Sequence, residues 1–168
     1  MKKILSALHL FLAVMTLALV IPAQAQTGQD DLAKRVASYE LTMARMESYG
    51  KVTAALADWA SANPAAAKAL NNRMPKTITS VPESAALLEA EPVIKKMLDE
   101  HRLSGNDYVL MPSAIMQAQI AVLGESQGRS FPADKINPKN IALVKTNMAR
   151  VDEIMLKVRA DRVRAFGQ

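Results

Sequence analysis

The sequence predicts an all-α protein: a single-domain bundle of about five helices with a buried central helix, preceded by a cleavable signal peptide. Three observations support this fold class. Apolar residues recur at spacings of three and four along most of the chain, no segment alternates apolar and polar residues as a half-buried strand does, and residues 103–124 are apolar almost throughout. A helix that is apolar on every side belongs inside a bundle.

The central helix has a well-marked beginning. Ser104 is followed three residues later by Asp107, the pattern of a capping box. Pro112 removes one backbone donor and predicts a kink, and Gly124 is expected to end the helix. From Tyr108 to Leu123 the only polar residues are Ser113, Gln117 and Gln119. We therefore expect other helices to cover nearly the whole circumference of this helix.

The N-terminal segment is typical of a secretory signal peptide. Lys2 and Lys3 precede an apolar run over residues 4–21, which Pro22 ends before the small-residue pattern of residues 23–25. We predict cleavage after Ala25, so that residues 1–25 are removed and residues 26–168 form the helical domain. The alternative is a retained membrane anchor, since the run is nearly long enough to span a bilayer. Cleavage predicts an exported protein, periplasmic or secreted, without a transmembrane segment in its mature form.

The composition of the predicted mature chain excludes several classes of protein. It contains no cysteine, which excludes disulfides, thiolate metal ligands and covalently attached c-type haem. Loss of Lys2 and Lys3 leaves 19 basic and 16 acidic residues, and no basic run is interleaved with aromatic residues as in a nucleic-acid groove. We therefore expect no nucleic-acid partner, and instead an unknown protein or an anionic envelope surface.

The first helix is predicted from an apolar seam with spacings of four and three. At Gly50 the seam changes phase, so the helix either bends there or is two helices in sequence, and we expect a bend. Asn63 and Pro64 then read as a cap and a first-turn proline, opening a short helix to about Asn72. The seam before the bend consists of Leu32, Val36, Tyr39, Met43 and Met46, and after it of Val52, Leu56 and Trp59.

The middle of the chain combines a long connection with two short helices. Residues 73–82 show no helical period, and their Ile78 and Val81 are either anchored on the bundle or part of an exposed loop. Ser80 and Glu83 form a possible capping box for a helix to residue 89. Pro92 begins another helix, which ends before the central one.

The last helix opens at Asn137 and Pro138, after a polar loop whose Phe131 is expected to pack on the core. Its spacing of three and four matches the seam of the first helix. We therefore expect the first and last helices to lie along each other in the manner of a coiled coil. The seam consists of Ile141, Val144, Met148, Val151, Met155 and Val158.

The sequence offers few residues that could form a catalytic site together. The mature chain offers no cysteine and one histidine, His101, so a nucleophile with an activating base is not expected. Adjacent carboxylates such as Asp99 and Glu100 diverge by about 100° around a helix. We predict a non-enzymatic protein without a cofactor that acts by binding, as an envelope adaptor, a chaperone-like factor or a structural component.

The alternative is a bundle that binds a metal ion or haem through methionine and histidine. Met97 and His101 stand four residues apart, and Met43 and Met46 three apart, so each pair could offer two ligands on one helical face. The same methionines lie on seams assigned to the core, where methionine commonly fills gaps. His101 at a helix end also interacts favourably with the helix dipole without any metal.

The end of the last helix is rich in basic residues. Lys157, Arg159, Arg162 and Arg164 are offset by Asp161 alone, and this surface could contact lipid head groups or an acidic partner. Cations at a helix C-terminus also stabilise the helix dipole, which requires no partner.

Overall fold

The computed structural model describes residues 23–74, 78, 80–132 and 135–167, and these residues form eight α-helices and no strand. The all-α prediction is confirmed and the count of about five helices is wrong. The apolar run of the predicted signal peptide lies outside the described residues, and the predicted cleavage point falls in the first turn of α1. The helices are α1 (Ala23–Ser38), α2 (Met43–Ala62), α3 (Pro64–Arg73), α4 (Val81–Ala90), α5 (Pro92–Glu100), α6 (Gly105–Ser126), α7 (Pro138–Thr146) and α8 (Met148–Phe166).

The first break in the predicted helices lies at residues 39–42, between α1 and α2. Asn140, on α7 and 2% exposed, holds this linker: its Oδ1 accepts the Leu41 N–H at 2.8 Å and its Nδ2 donates to the Tyr39 carbonyl at 2.8 Å. Thr42 then caps α2 by accepting the Arg45 N–H. A distant side chain thus satisfies backbone groups that a continuous helix would have paired internally. The break separates residues that the predicted seam had joined.

Gly50 lies inside α2, which is continuous across it. Of the two alternatives, two helices in sequence is therefore wrong, and the bend stays a prediction. A Cβ at Gly50 would lie 3.6 Å from Ile154 of α8, an ordinary van der Waals distance.

The last predicted helix is divided at Asn147 into α7 and α8. The Asn147 backbone N–H donates to the carbonyls of both Leu143 and Val144, and the Asn147 Nδ2 also donates to the Leu143 carbonyl. Only α8 lies along α2. The residues of α2 belong to the predicted first helix, so this pairing agrees with the prediction for that part, whereas α1, which carries Leu32 and Val36, is not part of the pair. The coiled-coil geometry itself stays a prediction.

Helices α2 and α8 form the most extensive helix pair of the described chain. Arg150 bonds Glu47 at 3.2 Å near the start of both helices, and Arg164 bonds Asp58 at 2.6 Å near their ends. Because partners follow the same order in both helices, α2 and α8 run parallel. Buried apolar side chains fill the space between them and the other helices, including Met46, Val52, Val151 and Val158.

The central helix is α6, and its predicted capping box is present. The Ser104 Oγ accepts the Asp107 N–H at 3.1 Å, and the Asp107 carboxylate accepts the Ser104 N–H at 3.2 Å. The helix runs through Pro112 without interruption. It packs against α4 and α7 and also contacts α1 and α2. Its position in the bundle is therefore central, as predicted.

The predicted end of α6 and its complete coverage are both wrong. The helix continues to Ser126, and a Cβ at Gly124 would collide with the ring of Phe131. Gly124 therefore allows Phe131 to pack closely, whereas the left-handed glycine is Gly128, with φ 74°. Ile115 is fully buried, but three apolar residues of α6 are more than half exposed because no helix in the described part of the chain covers that side; they are Met116, Ile120 and Leu123.

The long connection is anchored on the bundle, one of the two alternatives left open by the sequence. Val81 is 1% exposed, and Ile78 is half-buried and packs against the core. Ser80 caps α4 by accepting the Glu83 N–H at 3.4 Å. Among the described residues, no helix combines the length and apolar character needed to cross a membrane.

Asp107 provides a prediction about pH. Burial alone would raise the pKa of its carboxyl, but hydrogen bonds from Ser104 and from the Tyr39 hydroxyl, 2.8 Å away, outweigh this and lower the pKa below its usual range. A depressed pKa means that the carboxylate stabilises the fold above the unfolded pKa of about 4, and that this contribution is lost as the pH falls through the folded pKa.

Asp107→Asn should lower the free energy of unfolding by about 1 kcal/mol at pH 7, because the amide caps less well than the carboxylate. The difference between variant and wild type should shrink at pH 3, because this pH lies below the unfolded pKa of about 4 and the stabilisation by the carboxylate is lost as the pH falls toward the lower folded pKa. Urea unfolding at pH 7, 5 and 3 measures it. A difference that stays constant over this range would show that the charge of Asp107 contributes nothing.

Candidate functional site

A pocket of about 280 Å³ lies at the end of the bundle that holds the C-terminal turns of α8. It is bordered by α2, α3, α4, α5, α6 and α8, and by two residues of the long connection, Met74 and Ile78. Most of its described lining is apolar. The main apolar side chains are Leu56, Leu70, Leu88, Ile94, Val109 and Phe166.

A few polar groups interrupt this apolar lining. Thr53 and Ser84 are almost completely buried, and the Thr53 hydroxyl donates to the Tyr49 carbonyl one turn earlier at 2.9 Å. Tyr108 and Arg162 lie at the pocket on α6 and α8. Among the lining residues that the structure describes, Arg162 is the one with a permanent charge. An apolar cavity with a small number of placed polar groups is the usual form of a small-molecule site.

Arg162 is held in place by a buried tyrosine. Its Nη2 donates to the Tyr49 hydroxyl at 2.5 Å, and its guanidinium carbon lies 6.0 Å from the centre of the Tyr49 ring. The Tyr49 ring packs in turn against the ring of Tyr108, with 5.0 Å between centres. Burial raises the pKa of Tyr49, and Tyr108 raises it further, so that Tyr49 stays a neutral phenol at physiological pH despite the neighbouring Arg162.

The parallel pairing of α2 and α8 creates this arrangement. It brings Tyr49, which is fully buried on α2, within reach of a long side chain from the last turns of α8. In the sequence, Arg162 was one of four basic residues predicted to form a surface. The pocket could not be predicted, because six helices contribute to it and their spatial order does not follow from helical spacing. The signal available was Tyr49, a large aromatic residue outside the predicted seam.

The four predicted basic residues do not act as one surface. Arg164 is neutralised by Asp58 at 2.6 Å and by Asp161 at 2.9 Å, and Arg162 contacts Tyr49. Lys157 and Arg159 are exposed, with no ion pair to any described residue. Asp161 itself is 7% exposed, and its Oδ2 has no hydrogen-bond partner among the residues that the structure describes, so Arg164 compensates its buried charge from one side only.

The predicted methionine and histidine ligands lie elsewhere. Met46 is fully buried in the core, and Met43 and Met97 are half-buried and pack against it. His101 is half-buried and caps the C-terminal end of α5, where its N–H donates to the Met97 carbonyl at 3.2 Å. None of these residues lines the pocket. Within the described part of the chain, no group of three or more His, Asp or Glu is placed to hold a metal ion.

His101→Ala should therefore leave the fold nearly unchanged and lower the free energy of unfolding by about 1 kcal/mol or less, because the capping bond at this position comes from the backbone N–H, which alanine retains. Thermal unfolding monitored by circular dichroism measures the effect. The metal hypothesis makes the opposite prediction: purified protein would show a Soret band or bind copper stoichiometrically, and the variant would lose that ligand. Either result would replace the role assigned to His101 here.

Comparisons of the chain with protein-family models, with curated proteins and with solved structures gave no match. No relative therefore supplies a substrate, a partner or a set of site residues. The features of this chain that point to a function are its pocket and its exposed apolar side chains.

Proposed function

We propose that this is an exported, non-enzymatic protein that acts by binding, and that the pocket at the end of α8 holds a small apolar ligand. The pocket itself is the observation that carries the proposal. An engineered apolar cavity of about 150 Å³ binds benzene, so a cavity of about 280 Å³ has room for a ligand of about eleven non-hydrogen atoms. Its lining of leucine, isoleucine and phenylalanine side chains favours an aliphatic molecule.

The polar groups of the pocket support binding over catalysis. Thr53 donates its hydroxyl to its own helix, and no described carboxylate or imidazole lines the pocket beside Ser84 to act as a base. His101 caps α5 away from the lining. These groups can orient a ligand by hydrogen bonding, which is what a binding site requires.

The proposal is tested by calorimetric titration with a series of 1-alkanols. Affinity should rise about fourfold per methylene, the equivalent of about 0.8 kcal/mol, up to about ten carbons, and then level off because the pocket is full. Ala165→Trp, which fills the pocket at its lining, should abolish binding. Ala160→Trp, exposed on the same helix outside the lining, is the matched control. Absence of saturable binding, or equal binding by both variants, would reject the pocket as the site.

Export has a separate test. The apolar run and the small-residue pattern of residues 23–25 support cleavage after Ala25. Intact-mass measurement on protein from the native host should give a chain beginning at Gln26. A chain that retains residues 1–25 and is extracted only by detergent would place the protein at a membrane and reject the exported, processed form.

A second form of binding, an adaptor or chaperone-like role, is favoured by exposed apolar side chains on α6 and α8. Gln119 of α6 donates to Asp152 of α8 at 2.8 Å, and apolar residues one helical turn from this bond are more than half exposed. Exposed apolar residues grouped in this way are typical of protein contacts. They are Met116 and Leu123 on α6 and Leu156 on α8.

The adaptor role predicts a protein partner that binds this face. Complexes isolated from the native host should contain one partner with wild type and lose it with the double variant Met116→Gln, Leu123→Gln. The double variant Lys157→Gln, Arg159→Gln, on exposed positions of α8, should keep it. A partner retained by both double variants would contradict the assignment of this face.

A further inference from the structure

We infer that the ligand of the pocket is an amphiphile with a single short aliphatic chain and a carboxylate head group, and that Arg162 binds the carboxylate. This inference rests on the proposed function, because it assigns the chemical class of the ligand to the same pocket. The apolar chain would occupy the cavity between Leu56, Leu88 and Val109, and the carboxylate would lie where Arg162 borders it.

The Arg162 side chain has hydrogen-bond donors that no described residue uses. A guanidinium has five N–H donors, and in the described structure Arg162 gives one of them to the Tyr49 hydroxyl and forms no ion pair. Arg164, two residues later, is paired with both Asp58 and Asp161. The chain therefore neutralises the neighbouring cation and leaves Arg162 with free donors beside an apolar cavity.

Arg162 is exposed, but its guanidinium is positioned before any ligand arrives. Its bond to Tyr49 restricts a long side chain that would otherwise sample many rotamers in solvent, and the packing of Tyr49 on Tyr108 fixes the acceptor. Tyr49 is fully buried and stays neutral, so it orients the guanidinium without cancelling its charge. A guanidinium held in this way can offer its remaining donors to both oxygens of a carboxylate.

The charge of the pocket lining and the volume of the pocket also fit a small anion with one aliphatic chain. No carboxylate is present among the described residues that line the pocket, so an incoming anion meets no repulsion from the lining. The cavity accommodates about eleven non-hydrogen atoms. A saturated carboxylate of eight carbons has ten, whereas a lipid with two long chains far exceeds the available space. The pocket therefore fits a medium-chain monocarboxylate.

The test uses two probes of equal chain length, octanoate and 1-octanol, titrated calorimetrically into the full mature chain. Wild type should bind octanoate at least about tenfold more tightly than 1-octanol, because hydrogen bonds to a charged group are the stronger ones. Arg162→Gln should lose this preference and keep its affinity for 1-octanol, which also shows that the variant is folded. Arg162→Lys should keep part of the preference, since it retains the charge without the planar fork.

Arg159→Gln is the matched control. Arg159 lies one turn earlier on α8, is exposed and is not part of the lining, so its loss should leave the preference for octanoate unchanged. Equal binding of octanoate and 1-octanol by wild type would overturn the inference while leaving the pocket as an apolar site. A preference that disappears with Arg159→Gln but survives Arg162→Gln would also overturn it. Failure of both probes to bind would reject the proposed function itself.

Discussion

Asn140→Ala should lower the free energy of unfolding by about 2–4 kcal/mol. The Asn140 side chain is 2% exposed and makes two hydrogen bonds of 2.8 Å to the backbone of the linker between α1 and α2. Alanine would leave the Leu41 N–H without its partner and the Tyr39 carbonyl with only the longer hydrogen bond from the Asn137 Nδ2, at 3.3 Å. Each buried backbone group left unsatisfied costs about 1–3 kcal/mol, more than the net gain from forming the bond.

Chemical denaturation in urea, followed by circular dichroism, measures this loss. Asn147→Ala is the matched control, because among the described residues the Asn147 side chain bonds only to the Leu143 carbonyl one turn earlier, and the expected loss there is about 1 kcal/mol or less. Asn140→Asp keeps the acceptor for Leu41 but turns a carboxylate oxygen toward the Tyr39 carbonyl, so it should also destabilise. Equal small losses for all three variants would show that solvent satisfies the linker and that Asn140 is not its anchor.

This asparagine explains why the break between α1 and α2 could not be predicted. The apolar seam through Val36, Tyr39 and Met43 keeps a helical spacing across the linker, and nothing local stops the helix there. The competing hydrogen bonds come from Asn140, about a hundred residues away. Local patterns did predict the caps that depend on neighbouring residues. These are the capping box of Ser104 and Asp107, the Ser80 cap of α4 and the Asn137 cap of α7, each formed within three residues.

Coverage of α6 shows the same limit. An apolar composition correctly predicted that Ile115 would be buried, but it could not show that one side of the helix is left open at Ile120, which is 52% exposed. The pocket could not be predicted from the sequence for a related reason. Arg162 was noticed as a charge on a helix end, whereas its role depends on Tyr49 and on the parallel arrangement of α2 and α8. Such pairings arise from tertiary packing and leave no period in the sequence.

Gly105→Ala should lower the free energy of unfolding by about 2 kcal/mol, although alanine is the better helix former. Gly105 begins α6 where this helix meets α4, and its N–H donates to the Glu89 Oε1 at 2.7 Å. A Cβ at this position would lie 2.9 Å from the backbone carbonyl oxygen of Ala85 and 2.7 Å from the same Glu89 oxygen. Because a backbone carbonyl inside a helix cannot move aside, the two helices must separate and weaken the bond to Glu89.

Gly50→Ala is the control that isolates this clash from helix propensity. Gly50 lies inside α2, and its Cβ would meet only Ile154, at an ordinary distance of 3.6 Å. That substitution should raise the free energy of unfolding by about 0.5–1 kcal/mol, through the lower conformational entropy of alanine in the unfolded chain. The same chemical change is thus expected to act with opposite signs at the two positions. Urea unfolding of both variants, with stabilisation at Gly105 as the contradicting result, tests whether α4 and α6 approach as closely as their backbones indicate.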